Sequence, residues 1–217
     1  VHPADLDGAL QPQLSALLLN ADAEEIKEVK DFYRPDPANA YEPFQIGEMP
    51  GAYVLGSDPS FELHVMHHFW KETSFKSLDL SRYRQAWASL FERHEVLKTE
   101  YVSEGKVRIN PKLQPRIDVV DLSKASGAQI ATELAAQREQ WAHFSWINAG
   151  APPMEPPYLF AIWNALPGGE VRLHTYWSGI LLCGACNSLL TKELQRLYDD
   201  PASLQPTPTV SWRDYNL

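Results

Sequence analysis

The chain has 217 residues, of which 44% are hydrophobic and seven are tryptophan, enough for the core of one large domain or two small ones. Its 19 basic and 28 acidic side chains give a net charge of -9, which opposes binding to a nucleic-acid backbone. No run of about 18 apolar residues and no signal-peptide pattern occurs, so we expect a cytoplasmic protein with no membrane partner.

The first part of the chain differs in character from the rest. Residues 1–33 carry apolar side chains at helical spacing, interrupted at Asn20–Asp22, and predict two short amphipathic helices. Residues 34–42 contain prolines and no apolar period, so we interpret them as an extended linker. Amphipathic helices are common recognition devices, so the segment 1–33 is either a docking element or a scaffold for the main domain, residues 43–217.

Strand patterns recur through the main domain. Apolar and β-branched residues predict strands over residues 61–70, 117–120, 158–163 and 171–177. Two shorter runs predict a hairpin, with strands over 97–101 and 106–109. We expect the last two strands, 158–163 and 171–177, to pair across a Leu-Pro-Gly-Gly turn.

Three helices are predicted between and after these strands. The first covers residues 80–94 with Asp79 as its N-cap, and the second covers 126–144. The third follows Cys183 and has four apolar residues at helical spacing, namely Leu189, Leu190, Leu194 and Leu197. Together the elements predict a mixed α+β fold whose sheet is covered by helices on one side.

The stretch from Leu173 to Ser188 changes from a buried strand through a turn to a helix. Many α/β enzymes hold their reacting groups at such turns, because backbone N–H groups and the positive end of the helix dipole meet there. This turn has no carboxylate, and its one general-base candidate is His174, on the strand side.

Cys183 and Cys186 have the Cys-x-x-Cys spacing of redox dithiols and lie at a predicted helix N-terminus, where a thiolate is stabilised. The surrounding elements do not follow the thioredoxin order, so we interpret both residues as small buried thiols, with a dithiol oxidoreductase as the alternative. The pair lacks a second pair of zinc ligands, with His174 as the one nearby candidate, so we expect no metal.

Other histidines and the tryptophans have structural explanations. Strand alternation places His64 and His68 on one face and His67 on the other, which disfavours a three-ligand metal site. Trp87 and Trp141 lie at core positions of predicted helices, so we interpret them as core anchors. Arg93 and His94 are predicted to bind neighbouring backbone or carboxylates in a structural role.

Four segments resemble motifs of the condensation domains of nonribosomal peptide synthetases, in the heterocyclization subtype. Residues Tyr41–Gly56 resemble the opening motif of that family, and Arg93–Thr99 resemble its RHxMLRT motif. Leu173 and His174, with the turn after them, resemble LHxSxDxLxxDxxS, and Ser211–Tyr215 resemble SFRDY. The four motifs occur in the family's order over residues 41–217.

The resemblance implies a chloramphenicol-acetyltransferase-like fold, of which this chain matches the first of two lobes. Family members hold their thioester substrates in a tunnel between the lobes. The resemblance therefore implies a truncated lobe with an apolar wall that is covered by a second lobe, neighbouring synthetase domains or a second copy of the chain in a homodimer.

The alignment also predicts a degenerate motif. The heterocyclization subtype has two aspartates in its turn, and Ser178 and Cys183 stand at their positions here. The adjacent histidines of ordinary condensation domains are also missing, since Tyr176 and Trp177 lie there. We therefore assign no catalytic residue, and name Ser178 and Cys183, with His174 nearby, as the degenerate site.

The resemblance implies a role in a nonribosomal peptide or hybrid polyketide assembly line. We expect the lobe to dock an acyl or peptidyl carrier protein rather than to catalyse alone. It would bind no cofactor directly, and the carrier's phosphopantetheine arm would bring the substrate. The alternative is half of an acyl-transfer or amide-forming cyclization site completed by a second lobe or chain, in which His174, Ser178 and Cys183 line the acceptor side and Cys183 is the nucleophile.

Overall fold

The computed structural model describes residues 35–56, 68–103, 105–142, 156–208 and 210–217. The chain divides into two compact units, residues 1–37 and 38–217. The two predicted helices of residues 1–33 lie outside the described residues, as do His64 and His67. The docking segment, the linker boundaries and the arrangement of the three histidines therefore stay predictions.

Five α-helices occur in the described residues. They are α1 Glu48–Gly56, α2 Leu80–Arg93, α3 Gly127–Ala142, α4 Gly184–Asp199 and α5 Trp212–Asn216. Short 3-10 helices lie at Pro37–Asn39, Glu95–Lys98, Pro167–Gly169 and Pro201–Ser203. The three helices predicted in the main domain are confirmed, and the Asp79 cap is confirmed because its Oδ1 accepts the Arg82 N–H at 2.7 Å.

Seven strands form two sheets in the same part of the chain. The strands are β1 Phe44–Gln45, β2 His68–Phe75, β3 Thr99–Ser103, β4 Lys106–Ile109, β5 Arg116–Asp121, β6 Leu159–Ala165 and β7 Val171–Ser178. The larger sheet has the order β2-β7-β6-β5, and the smaller has the order β1-β4-β3. The predicted mixed α+β fold is confirmed.

The pairing between the last two strands is also confirmed. β6 and β7 are antiparallel, with Phe160 opposite Tyr176 and Trp163 opposite Leu173. The predicted hairpin is present between β3 and β4, but β3 begins at Thr99 rather than at residue 97. Glu95–Lys98 form a short 3-10 helix instead, and the extended backbone begins at Thr99.

Helices cover both faces of the larger sheet. Trp163 of β6 packs against Tyr83 of α2, with ring centroids 5.5 Å apart. Phe160 points to the opposite face and packs against Trp141 of α3 at 5.0 Å. All of β6 except its last residue is buried, so both of its faces need apolar cover. The prediction of a sheet covered on one side was therefore wrong.

The two tryptophans predicted as core anchors are confirmed in that role. Trp87 of α2 is 1% exposed and stacks on Phe91 at 5.8 Å, one turn along the same helix. Trp141 of α3 is 7% exposed and contacts Phe160 and Tyr176 at 5.0 Å each. Such aromatic contacts add about 0.5–1.5 kcal/mol per pair beyond the burial of their area.

Only some of the apolar residues predicted for α4 pack against the rest of the lobe. Leu190 and Leu197 are buried, whereas Leu189 is 67% exposed. Residues 189 and 190 are about 100° apart around the helix, so the two cannot both face the sheet.

Because Leu197 is buried and Leu189 is exposed, we expect alanine substitutions at these two positions of α4 to change the free energy of unfolding by different amounts. We expect Leu197→Ala to lower the free energy of unfolding by about 2–5 kcal/mol, because it leaves a cavity in the core. Leu189→Ala should change it by no more than about 0.5 kcal/mol. Urea denaturation followed by circular dichroism measures both, and equal losses would contradict this orientation of α4.

Candidate functional site

The motif turn begins at Ser178, the last residue of β7, which is fully buried. Its N–H donates to the Tyr158 carbonyl at 3.0 Å, and its Oγ accepts the Ile180 N–H at 3.2 Å. Its carbonyl accepts the N–H groups of Leu181 and Leu182, each at 3.2 Å. Ser178 therefore closes the turn with both its backbone and its hydroxyl, a role that a short side chain with an oxygen can fill.

The turn ends at Cys183, the N-cap of α4. Its Sγ accepts the Cys186 N–H at 3.3 Å and lies 3.0 Å from the Cys186 Sγ. Hydrogen bonds from Cys186 lower the pKa of Cys183, whereas burial raises the pKa of Cys186. Both thiols are free and exposed. The prediction of small buried thiols was therefore wrong, because residues 183–186 form the exposed first turn of the helix.

His174 lies on β7 with no exposed surface, opposite Glu72 of β2. Its Nε2 is 3.3 Å from the Glu72 Oε2, and neither ring nitrogen makes a well-directed hydrogen bond. Burial lowers the pKa of His174 and outweighs the attraction of Glu72, so the ring is neutral near pH 7. His174 is therefore a core histidine.

Glu72 is the centre of a charged cluster on this face of the sheet. Arg138 of α3 donates to both of its oxygens, at 2.8 and 2.9 Å, and Arg172 of β7 donates to its Oε1. Hydrogen bonds from Arg138 and Arg172 lower the pKa of Glu72 to about 2, against the opposing effect of burial. The carboxylate is therefore fully charged and already bound near pH 7.

The other face of the sheet contributes to a cavity of about 260 Å³. It lies between β2, β7 and α4, next to Tyr83 of α2. Besides Tyr83, its polar lining residues are Lys71, Thr73, Thr175, Asn187, Thr191, Gln195 and Tyr198. Among the described residues that line it there is no Asp, Glu or His, and burial raises the pKa of the Tyr83 hydroxyl above its ordinary value.

The structure separates the sequence-predicted site residues. Leu173, Thr175 and Trp177 line the cavity, so strand alternation directs His174, between them in sequence, to the opposite face with Glu72. Ser178 and Cys183 lie at the two ends of the turn and do not line the cavity. The degenerate site is thus not a single cluster of side chains.

Arg93 and His94 have the structural role predicted for them. Arg93 Nη1 donates to both oxygens of Glu193 in α4 at 2.7 Å, and His94 Nε2 lies 2.9 Å from one of them. Arg93 Nε also donates to the carbonyls of Gln205 and Pro206, at 3.2 and 3.0 Å. The motif therefore holds the end of α2 to α4 and to the segment before α5.

Lys71, Glu72, Arg138 and Arg172 were not identified from the sequence. Glu72 lies beyond the end of the strand predicted over residues 61–70, because β2 continues to Phe75, and its pairing with His174 is seen only in the structure. Arg138 lies in another helix, and no local pattern connects it to Glu72.

Neither a metal-binding cluster nor a membrane-spanning helix occurs in the described parts of the chain. Within residues 35–56, 68–103, 105–142, 156–208 and 210–217, no three His, Cys, Asp or Glu side chains are grouped to hold a metal ion. No helix in these parts of the chain is both long and apolar enough to cross a membrane.

Comparisons with known proteins agree with the motifs. No protein-family model matches the chain. Bacitracin synthase 1 from Bacillus licheniformis is 26% identical over 184 residues, which make up 84% of this chain and 3% of that protein. Phenyloxazoline synthase MbtB from Mycolicibacterium paratuberculosis is 28% identical over 144 residues, which make up 64% of this chain and 12% of that protein. The chain thus spans a small part of these curated relatives.

The EpoB NRPS cyclization-docking bidomain from Sorangium cellulosum superposes on the chain with a TM-score of 0.77 at 22% identity. The match covers 99% of this chain and 42% of that one. The chain has the fold of one part of a nonribosomal peptide synthetase cyclization domain. The predicted resemblance and the predicted lobe fold are therefore confirmed.

The replacement of two family aspartates by Ser178 and Cys183 depends on motif alignment, and it stays a prediction. In this condensation-like lobe the two positions differ in environment, since Ser178 is buried in a hydrogen-bonded turn and Cys183 is exposed at a helix end. A carboxylate at position 178 would be buried, whereas one at position 183 would cap α4.

The charged cluster predicts a pH-dependent stability. Because the pKa of Glu72 is about 2 in the folded lobe and 4.5 ordinarily, its contribution is complete above pH 4.5 and disappears as the pH falls towards 2. We expect Glu72→Gln to lower the free energy of unfolding at pH 7 by about 1–3 kcal/mol. The difference between variant and wild type should shrink below pH 4.5.

Urea denaturation between pH 7 and the lowest pH at which the wild type stays folded measures this effect. Glu92→Gln is the matched control, because Glu92 is 83% exposed and pairs with Lys98 at 3.2 Å on the surface. The control should cost less than about 1 kcal/mol. A difference for Glu72→Gln that stayed constant across this range would contradict the assignment.

Proposed function

We propose that this lobe of a nonribosomal peptide or hybrid polyketide assembly line binds and positions a carrier protein's phosphopantetheine arm, and is not a catalyst by itself. The observation that carries the proposal is the cavity between β2, β7 and α4, whose described lining contains no carboxylate and no histidine. A group that accepts a proton near neutral pH is the usual requirement for general-base catalysis of amide formation.

The titratable groups near the motif turn do not supply such a base. His174 is neutral near pH 7, but it is fully buried and faces away from the cavity. Glu72 is bound by Arg138 and Arg172 and has a pKa of about 2, so it accepts a proton only in strong acid. Ser178 is engaged in the turn. These groups stabilise the lobe rather than act on a substrate.

The lining of the cavity suits a phosphopantetheine arm. The arm has a phosphate at one end and two amides along its length. Lys71 offers a positive charge, and the side chains of Asn187 and Gln195 offer amide donors and acceptors on one side of α4. Leu173 and Leu194 provide apolar contact for the methylene groups.

Residues 1–33 are the proposed docking element for an upstream protein of the assembly line. Two observations support this. The segment has the amphipathic pattern of recognition helices. A solved structure to which the chain is similar is a cyclization-docking bidomain. Neighbouring synthetase domains, a second lobe or a second copy of the chain are the other proposed partners.

Lys71 gives a direct test of the cavity. We expect free phosphopantetheine, titrated into the chain and followed by NMR chemical shifts, to perturb signals of residues around the cavity. Lys71→Ala should weaken this binding on the order of fivefold, the effect of removing one exposed ion pair of about 1 kcal/mol. Lys76→Ala, which removes the same charge from an exposed position just beyond β2, should leave the affinity unchanged.

Two results would overturn the proposal. One is equal weakening by Lys71→Ala and Lys76→Ala, since the phosphate would then be attracted by general charge. The other is formation of amide or thiazoline product by the purified chain from carrier-loaded substrates, with no other protein present.

A second candidate function is half of an acyl-transfer or amide-forming cyclization site that another lobe or chain completes. The exposed Cys183 favours it, because hydrogen bonds from Cys186 lower the pKa of its thiol. We expect Cys183→Ala, made in the complete synthetase, to reduce product formation at least about 100-fold if the thiol is the nucleophile. An unchanged rate of product formation would remove Cys183 from the chemistry and leave the positioning role.

A further inference from the structure

The first turn of α4 brings together the two cysteines of the chain, and neither of them lines the cavity. Their Sγ atoms are 3.0 Å apart, both residues are exposed, and both thiols are free. We propose that Cys183 and Cys186 are a reversible dithiol–disulfide pair, with Cys183 as the thiol that attacks an external disulfide and Cys186 as the thiol that resolves it. This inference is independent of the binding role proposed for the cavity.

The two sulfurs lie close to the distance at which a disulfide forms. A disulfide needs its sulfurs about 2.05 Å apart, so the two Sγ atoms have to approach by about 1 Å. Cys183 is the N-cap and has an extended backbone, and Cys186 lies in the first turn of α4. Exposure of the pair gives a small disulfide access to Cys183.

The surroundings of the two thiols assign different roles to them. The N–H of Cys186 donates to the Sγ of Cys183, and the N-terminus of α4 adds the positive end of its dipole. Both effects stabilise a thiolate at Cys183, in agreement with its lowered pKa. Burial and the neighbouring Cys183 raise the pKa of Cys186. Because the thiolate is the nucleophile, attack begins at Cys183.

The reaction is a balanced thiol–disulfide exchange. The Cys183 thiolate attacks one sulfur of a low-molecular-mass disulfide, RSSR, forming a mixed disulfide and releasing one RS⁻. The Cys186 sulfur then attacks the Cys183 sulfur, gives up its proton, and releases the second RS⁻. The protein dithiol is oxidised by two electrons, RSSR is reduced to two RSH, and the two thiol protons end on the released thiols. Excess RSH reverses both steps.

The test uses the whole chain with oxidised glutathione as the oxidant. Samples are quenched with acid, alkylated and weighed by intact mass spectrometry. We expect the wild type to lose both thiols with no glutathione attached and no crosslink between chains, and to recover both thiols in reduced glutathione. Because the chain has no third cysteine, all thiol chemistry reports on this pair.

Two single variants form a matched pair. Cys186→Ser should stop at the mixed disulfide on Cys183. Cys183→Ser should react with oxidised glutathione about 10-fold more slowly, since the remaining thiol has less thiolate. Circular dichroism checks that both variants fold. A wild type that retained glutathione or crosslinked between chains would overturn the proposal, and equal rates for the two variants would overturn the role of Cys183.

Discussion

The structure depends on the burial of β6 and β7 on both faces. Phe160 and Trp163 lie three residues apart in β6 and contact different helices, α3 through Trp141 and α2 through Tyr83. A strand without a solvent-facing side requires cover on two sides, and the apolar area removed from water there is the main source of stability. The sheet thus fixes α2 and α4 on one face and α3 on the other.

The same division separates two chemical environments. One face of β2 and β7 holds the cluster of Glu72, Arg138 and Arg172 around the buried His174. The other face holds the cavity beside α4, with Lys71 and neutral polar groups. Since consecutive residues of a strand point to opposite faces, Lys71 and Glu72 belong to different environments although they are adjacent in sequence. The charges with perturbed pKa values therefore stabilise the lobe and do not face the cavity.

The contacts of α4 explain how the motif turn keeps its shape. Ser178 closes the turn that precedes the helix, and Glu193 in the middle of the helix forms an ion pair with Arg93 and contacts His94. A partly buried pair is costly to break, because the remaining charge loses its partner in a poorly hydrated place. The helix is thus a rigid support that carries cavity residues on one side and two exposed thiols at its first turn.

Much of the fold was determined by the sequence alone. Local patterns predicted α2 with its Asp79 cap, the pairing of β6 with β7, the core positions of Trp87 and Trp141, and the family to which the motifs are similar. These features depend on residues close together in the chain, whose hydrophobic spacing and turn residues suffice. The structural role of Arg93 and His94 was also predicted, although their partner Glu193 was not.

Tertiary structure alone decided which side chains share a face and which are exposed. The alternation of apolar residues in a strand does not show how many faces of its sheet are covered, so we did not predict that helices cover both faces. We predicted that Cys183 and Cys186 are buried, because free cysteines usually are. The prediction was wrong, because the exposure of one helical turn depends on what packs beside it. The cluster around Glu72 joins residues of β2, α3 and β7, and only the folded chain brings these distant segments within hydrogen-bonding distance.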